Sequence, residues 1–304
     1  MSSVGLTDRF EKDCELRKFS TAKVYAQTAR RFCHWMEDRQ VDVLMVTKRE
    51  LKDYLYYLQE ERRLRHESIR HEFVVINCFY SYLEEEEYIA ANPAPAFVKR
   101  YLSLYKSGEP EQRQLISIED AARLVSSTLA TRDQAIIMLF LKTGIRRGEM
   151  VSLDVSDVNV CELTLTLKET PKRSNRVLYF DHECADALQR WLVVRALRKG
   201  HEGPALFLSN QGKRMSKNQI HRAVTKHAEI IGLHDPKSAR LADKFGPHCC
   251  RHWFTTHLIR SGMPRDFVKE LRGDSRHEAI DIYNHIDKKE LRESYMAHIP
   301  RLGV

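Results

Sequence analysis

No run of about 18 apolar residues occurs in this 304-residue chain, so no part of it reads as a membrane-spanning helix. Glycine (12) and proline (9) are too sparse for a collagen-like or low-complexity protein, and a hydrophobic share of 42% excludes wholesale disorder. The opening MSSVGLTDRFEKD lacks the apolar stretch of a secretory signal, and a cytoplasmic protein is expected. Cysteine is limited to seven residues, none in a CxxC pair, and the odd number argues against a complete disulfide framework. Most of them are expected to be small buried hydrophobes in a reducing compartment.

What the chain does have is positive charge, unevenly placed. Residues 1–110 carry 18 Lys and Arg against 18 Asp and Glu, which leaves 32 against 24 for residues 111–304. The whole net charge of +8 therefore belongs to the C-terminal two-thirds. A basic surplus suits a polyanionic partner such as nucleic acid, although charge alone does not name one.

Helical periodicity dominates the first hundred residues. Ser20 precedes a helix with Tyr25, Ala29, Phe32 and Met36 on one face. Thr47 and Glu50 form a capping-box signature for the next, and a third begins near His66 with Ile69, Phe73, Ile76, Tyr80 and Leu83 in one stripe. Asn92-Pro-Ala-Pro95 breaks the pattern, and Lys106-Ser-Gly-Glu-Pro110 reads as a linker. The expected organisation is an all-helical domain over 1–105, a linker over 106–114 and a second domain over 115–304. There Ser117 and Asp120 open a helix, and TRDQAIIMLFLKTG supplies an apolar one that stops at Gly144. LTLTLK, PKRSN and RVLYF read as a β-hairpin with a basic turn. ALFLSNQG is expected to add a short strand, and Ser216 to Ile231 a helix. From Pro247 onward short helices are expected between Gly246, Gly262, Pro264 and Gly273. The fold class is mainly α with a small β-sheet (α+β).

Four separated elements carry chemistry: Thr143-Gly-Ile-Arg146-Arg-Gly-Glu149, the basic hairpin, His248-Cys-Cys-Arg251-His252, and Gly273-Asp274 with Tyr283 nine residues on. Singly, each has a plain structural reading. Arg146 just past a glycine suits a helix C-terminus. His248 and His252, one helical turn apart, could be metal ligands, but no Glu lies between them as a zincin requires. Tyr283 could be a half-buried aromatic.

In their order and context, TGIRRGE, the basic hairpin, HCCRHWFTTHLIRSG and LRGDSRHEAIDIYNHI resemble the tyrosine recombinases, or phage-type integrases, in an Xer-like or archaeal-integrase-like form. The resemblance covers nearly the whole chain. It implies a helical core-binding domain ahead of a mixed catalytic domain, the two closing on DNA as a C-shaped clamp. It implies site-specific breakage and rejoining of DNA through a 3′-phosphotyrosyl intermediate and a Holliday junction. Attack on a phosphodiester places added negative charge on the non-bridging oxygens, and arginine offers planar, permanent donors matched to them. A histidine near neutrality suits a donor or acid/base role.

Residue by residue, the resemblance makes Arg146 and Arg251 the phosphate clamp, His248 the histidine of HxxR and Tyr283 the nucleophile. Glu149 is expected to hold Arg146 in place. The general acid is a hairpin lysine in this family; Lys168 is the expected one, with Lys172, Arg173 and Arg176 positioning phosphates. These four cations against Glu169 make the turn locally +3. In the first domain Arg63 and Arg70 are the expected DNA contacts, within a cluster otherwise balanced by glutamates.

One departure stands out. Where the family places His or Trp after the glycine, this sequence has Asp274, and a carboxylate beside a phosphate is repulsive unless paired. His277, one turn on, could take over the missing donor role. The partner expected is double-stranded DNA at a specific site, bound by a homotetramer that is a monomer or dimer when free. No metal or cofactor is expected, and no membrane. Leu291, Tyr295 and Ile299 suit a short C-terminal helix that packs against a neighbouring protomer or docks on its own domain. Two other readings remain: a DNA-binding relative with weakened catalysis, and a metal-dependent phosphodiesterase built on His248, His252 and a nearby cysteine.

Overall fold

The computed structural model describes residues 3–19, 21–102, 113–169, 177–238, 240–273 and 286–304. Ser20, Lys172, Arg173, Arg176, Asp274, His277 and Tyr283 therefore lie outside the described residues. The chain divides into two compact units, Met1–Pro110 and Glu111–Val304.

The first unit is helical: α1 (Ser3–Leu16), α2 (Ala22–Glu37), α3 (Lys48–Tyr56), α4 (His66–Glu85) and α5 (Ala94–Tyr101). Thr47 caps α3 reciprocally with Glu50, as the sequence predicts, and a wider π-type turn over Tyr57–Glu61 ends it. Aromatic side chains fill the centre. Phe32 meets Tyr54 edge-on with ring centroids 5.0 Å apart, and Phe73 stacks on Phe97 at 5.2 Å. Helix α1 was not expected, yet Leu6, Phe10 and Cys14 recur every four residues and are fully buried. Nor does Asn92-Pro-Ala-Pro95 merely break a helix. The Asn92 side chain accepts from the Ala94 amide at 2.9 Å, and α5 begins there with Pro95 in its first turn, where no amide hydrogen is needed.

The second unit surrounds α7 (Thr131–Thr143), whose residues from Ala135 to Thr143 are all buried. Around it lie α6 (Ile118–Ser126), α9 (His182–Ala196), α10 (Lys217–Ile230) and α11 (Pro247–Arg260), with α8 (Arg147–Ser152) following α7 directly. A helix buried all round must be apolar all round, which the run AIIMLFL supplies. The hairpin forms: β2 (Thr164–Thr166) pairs antiparallel with β3 (Val177–Tyr179), and β1 (Val158–Asn159) extends the sheet on the other side of β2. The expected strand at ALFLSNQG does not form. Residues 205–208 are buried without alternation, and only single bridges join Ala205 to Asp154 and Leu208 to Arg214. Past Pro247 the chain is less broken than the glycines suggest, since α11 runs for 14 residues before α12 (Arg265–Arg272).

The C-terminal helix α13 (Lys288–His298) docks on its own domain, where Leu291, Tyr295, Ile299 and Leu302 join the core. Its seat is anchored by a fully buried lysine. Lys142 Nζ donates to Asp181 (2.5 Å), Glu183 (2.6 Å) and the Pro300 carbonyl (2.7 Å), and Glu183 also accepts from the Leu302 and Gly303 amides. A buried charge so fully partnered would be costly to strand, which ties the tail to α7.

Candidate active site

The turn after α7 sets the site. Gly144 adopts a left-handed conformation (φ +58°), and a Cβ there would lie 2.4 Å from the Phe254 ring, so glycine is required on both counts. This turn delivers Arg146 to the N-cap of α8, where one carboxylate holds it twice. Glu149 Oε2 accepts from the Arg146 amide at 2.8 Å and Oε1 from its guanidinium at 3.2 Å. Glu149 thus makes the contact expected of a residue that holds Arg146 in place.

Arg251, on α11, is 7% exposed. It donates to the Gly144 carbonyl at 2.6 Å and to the Arg272 carbonyl at 2.9 Å. The two main-chain acceptors fix its plane against the same turn that presents Arg146. Phe254, one turn further along α11, packs on Gly144, so the helix and the turn are locked together.

Arg146, His248 and Arg251 line one cavity of about 520 Å³. A second hollow of about 300 Å³ shares Arg113, His248 and Arg251 with it and adds His252 and Arg272. Partial withdrawal from water, then the charges of Arg113 and Arg251, the His252 imidazole and Arg272, hold the His248 imidazole below its usual range. Cys249, buried beside it, bonds the Lys244 carbonyl, and burial pushes its thiol up, which makes it a poor nucleophile. Among the described residues no group of three or more His, Cys, Asp or Glu could hold a metal ion. His248 and His252 face arginines instead, an arrangement that repels a cation and attracts an anion.

Lys168 does not line this cavity. Its Nζ donates to Asp154 at 2.6 Å, and Arg214 bonds the other oxygen of the same carboxylate, holding Asp154 below the ordinary carboxylate range. Lys168 stands just beyond β2, at the foot of the hairpin turn whose Lys172, Arg173 and Arg176 are not described. Arg63 and Arg70 are exposed in the first unit, at the turn before α4 and on α4 itself. Several cavity residues were missed by the sequence reading: Arg113, Arg147, His221, His234, Lys244 and Arg272. They are scattered over 160 residues, and only the general basic surplus of residues 111–304 hinted at them.

Comparison with known proteins gives this geometry its context. Residues 110–290 match the Phage integrase family, and residues 6–90 match the Phage integrase, N-terminal SAM-like domain. Tyrosine recombinase XerC of Thermodesulfovibrio yellowstonii is 30% identical over 234 residues, covering 72% of this chain and 71% of that protein. Tyrosine recombinase XerC of Oceanobacillus iheyensis is 28% identical over 294 residues, covering 92% and 90%. In fold, the chain is similar to the Tn1549 transposon integrase solved in complex with circular intermediate DNA (TM-score 0.69, 18% identity, 99% and 100% covered). It is also similar to the lambda integrase dimer bound to a COC′ core site (TM-score 0.67, 15% identity, 95% and 100% covered).

A helical domain ahead of an α+β domain with this arginine-lined cleft is the build of an enzyme that breaks and rejoins DNA strands. The chain belongs to the phage integrase family and is an Xer-like tyrosine site-specific recombinase. No helix of the described residues is long and apolar enough to cross a membrane.

Proposed function

We propose that Arg146, Arg251 and His248 receive the scissile phosphate and that Tyr283 attacks it. The observation that carries this reading is that these three cleft residues, from α7–α8 and α11, line one cavity, with Arg251 bonded to the carbonyl of the turn that presents Arg146. In the reaction the Tyr283 oxygen bonds to phosphorus while the bond from phosphorus to the 5′-oxygen breaks. The tyrosine proton goes to a base, the 5′-oxygen takes up a proton, and a 3′-phosphotyrosine holds the strand. Attack by the 5′-hydroxyl of a partner strand reverses the step, so the energy of the broken bond is kept and no external energy source is needed. Two rounds of pairwise exchange pass through a Holliday junction.

The two guanidinium groups stabilise the charge that develops on the non-bridging oxygens, the largest electrostatic contribution such a site can make. His248, held below its usual range by burial and then by its cationic neighbours, gains a reason to bind a proton once a phosphate enters. Lys168 acts as the general acid for the 5′-oxygen, leaving Asp154 to its second partner, Arg214, when it turns to the substrate. Lys172, Arg173 and Arg176 position the backbone, and Arg63 and Arg70 add contacts from the helical domain over 1–105. Four protomers act together on DNA in the cytoplasm, each donating one tyrosine, and the free protein is a monomer or dimer. Asp274 stands where the family has a donor, and His277 is a candidate replacement.

The test is covalent capture. On a nicked duplex whose 5′-hydroxyl fragment diffuses away, the native chain should form a protein–DNA adduct stable to denaturing electrophoresis, and Tyr283→Phe should form none. Salt-sensitive binding without any adduct would instead mark a binding-only relative.

A further inference from the structure

Asp154 holds two cations at once. Its Oδ2 accepts from Lys168 Nζ at 2.6 Å, and its Oδ1 accepts from Arg214 Nη2. An ion pair this near the surface ordinarily contributes little and needs no functional explanation. Two observations set this one apart.

The first is how unequally the three side chains are held. Arg214 Nη1 donates to the Val151 carbonyl at 2.9 Å and to the Leu153 carbonyl at 2.8 Å, so its place does not depend on Asp154. Those carbonyls lie at the end of α8, the six-residue helix with Arg146 as its N-cap, which spans about 9 Å. The backbone of Asp154 is held as well, by its amide to Asp157 at 2.8 Å and by the bridge to Ala205. Lys168 is the most exposed of the three, at 46% of its side chain against 35% for Arg214 and 17% for Asp154.

The second observation is where the ammonium rests. Lys168 is not among the described residues that line the cleft cavity, whereas a general acid must come within hydrogen-bond reach of the leaving oxygen. Arg214 first and Lys168 second hold Asp154 below the ordinary carboxylate range, so the carboxylate stays charged when Lys168 departs and still has a partner. With Lys168 as its sole cation it would be stranded by that departure, which is costly for a group so little exposed.

We propose that Asp154 is a positioning residue for the cleavage step: it docks Lys168 outside the cleft in the free protein, and Arg214, by keeping the vacated carboxylate paired, sets how readily the lysine is released to the substrate. This rests on the reading above that Lys168 is the general acid. In that step the Tyr283 oxygen bonds to phosphorus, the bond from phosphorus to the 5′-oxygen breaks, and that oxygen takes a proton from the Lys168 ammonium, which becomes a neutral amine.

The experiment uses the full chain and nicked duplexes with either the natural oxygen or a sulfur at the bridging 5′ position, since sulfur leaves as a thiolate and takes no proton. Single-turnover adduct formation is measured on both for the native protein, Asp154→Asn, Arg214→Met and Lys168→Ala. The readout is the ratio of the oxygen rate to the sulfur rate, which cancels losses common to both substrates through folding or the arginine clamp. Asp154→Asn keeps an acceptor for Arg214 but turns amide hydrogens toward Lys168, and its ratio should rise about two- to fivefold, as release of a partly exposed ion pair allows. Arg214→Met leaves the carboxylate to Lys168 alone, and its ratio should fall about tenfold. A merely structural role for the trio predicts slower cleavage of both substrates at the native ratio. A ratio unchanged or lower in Asp154→Asn, or unchanged or higher in Arg214→Met, overturns the proposal. Should Asp154→Asn unfold, Asp154→Ser is read in the same way. If Lys168→Ala slows both substrates equally, the general-acid reading fails and this inference with it; a loss confined to the oxygen substrate in Lys168→Ala, beside a native ratio in Asp154→Asn, sinks the inference alone.

Discussion

Arg251 Nη1 donates to the carbonyl oxygen of Gly144 at 2.6 Å, so the buried arginine of α11 is held by the cap of α7. The same glycine launches the turn to Arg146 and leaves room for Phe254. Gly144→Ala should therefore disturb both arginines at once. The left-handed backbone and the overlap with Phe254 together predict a loss of on the order of 2 kcal/mol or more in unfolding free energy. Denaturant titration checks this, and adduct formation should fall further than the stability loss explains. A variant with native midpoint and native cleavage would show that the turn does not position the site.

Glu149 is 9% exposed and holds Arg146 by backbone and side chain together. Glu149→Ala removes both contacts and should cost about 1 kcal/mol through the lost helix cap. Cleavage should slow while DNA affinity stays near native, because the residue orients the arginine rather than touching DNA. Glu149→Gln keeps an acceptor for the Arg146 amide and should recover most of the stability but less of the rate. Equal losses in rate for the two variants would contradict this division of labour.

Lys168 rests on Asp154, so its role as the acid is read from chemistry rather than from position. Chemistry separates the possibilities. If Lys168 protonates the leaving 5′-oxygen, Lys168→Ala should slow cleavage by about 10²–10⁴-fold. A DNA with sulfur in place of that oxygen leaves without a proton, and cleavage of it should be nearly unaffected by the substitution. If the sulfur substrate is slowed as much as the natural one, the acid is another group.

The tail offers a pH signature. Burial would raise the Glu183 carboxyl, but the Leu302 amide, Lys142 and the Gly303 amide outweigh it and hold the group below its ordinary value of 4.5. A carboxyl depressed in the folded state adds stability that is complete above the unfolded value and is lost as pH falls through the folded one. Docking of residues 299–304 should thus be constant at neutral pH and weaken below about pH 4.5. Amide hydrogen exchange of Leu302 and Gly303 across that range is the readout, and Glu183→Gln should flatten the dependence. Protection that does not change with pH in the native chain would show that Glu183 is not the latch.

Much of this molecule was legible in its residues, and the limits have physical causes. The capped helices at Thr47, Ser117 and Ser216 could be read because their caps are local: a side-chain oxygen two or three residues from the amide it accepts from. The pairing of Glu149 with Arg146 is likewise local. Arg251 was named from its motif, but its two carbonyl partners lie 107 and 21 residues away, and no spacing rule could have supplied them. Arg113 and Arg272 stayed hidden for the same reason: an arginine in a linker and one at a helix end look ordinary until the fold sets both beside His248. The strand expected at ALFLSNQG failed because a buried apolar run is satisfied as well by isolated bridges as by a ladder.

The central claim is that Tyr283 is the residue that takes the strand. Trypsin should release it within residues 277–288, HEAIDIYNHIDK, a peptide in which it is the only tyrosine. After covalent capture on a nicked duplex and digestion of both components, mass spectrometry of that peptide should show one added nucleotide linked through a 3′-phosphate at Tyr283. The same adduct on any other residue, or an unmodified peptide from a reaction that cuts the DNA, would contradict the account.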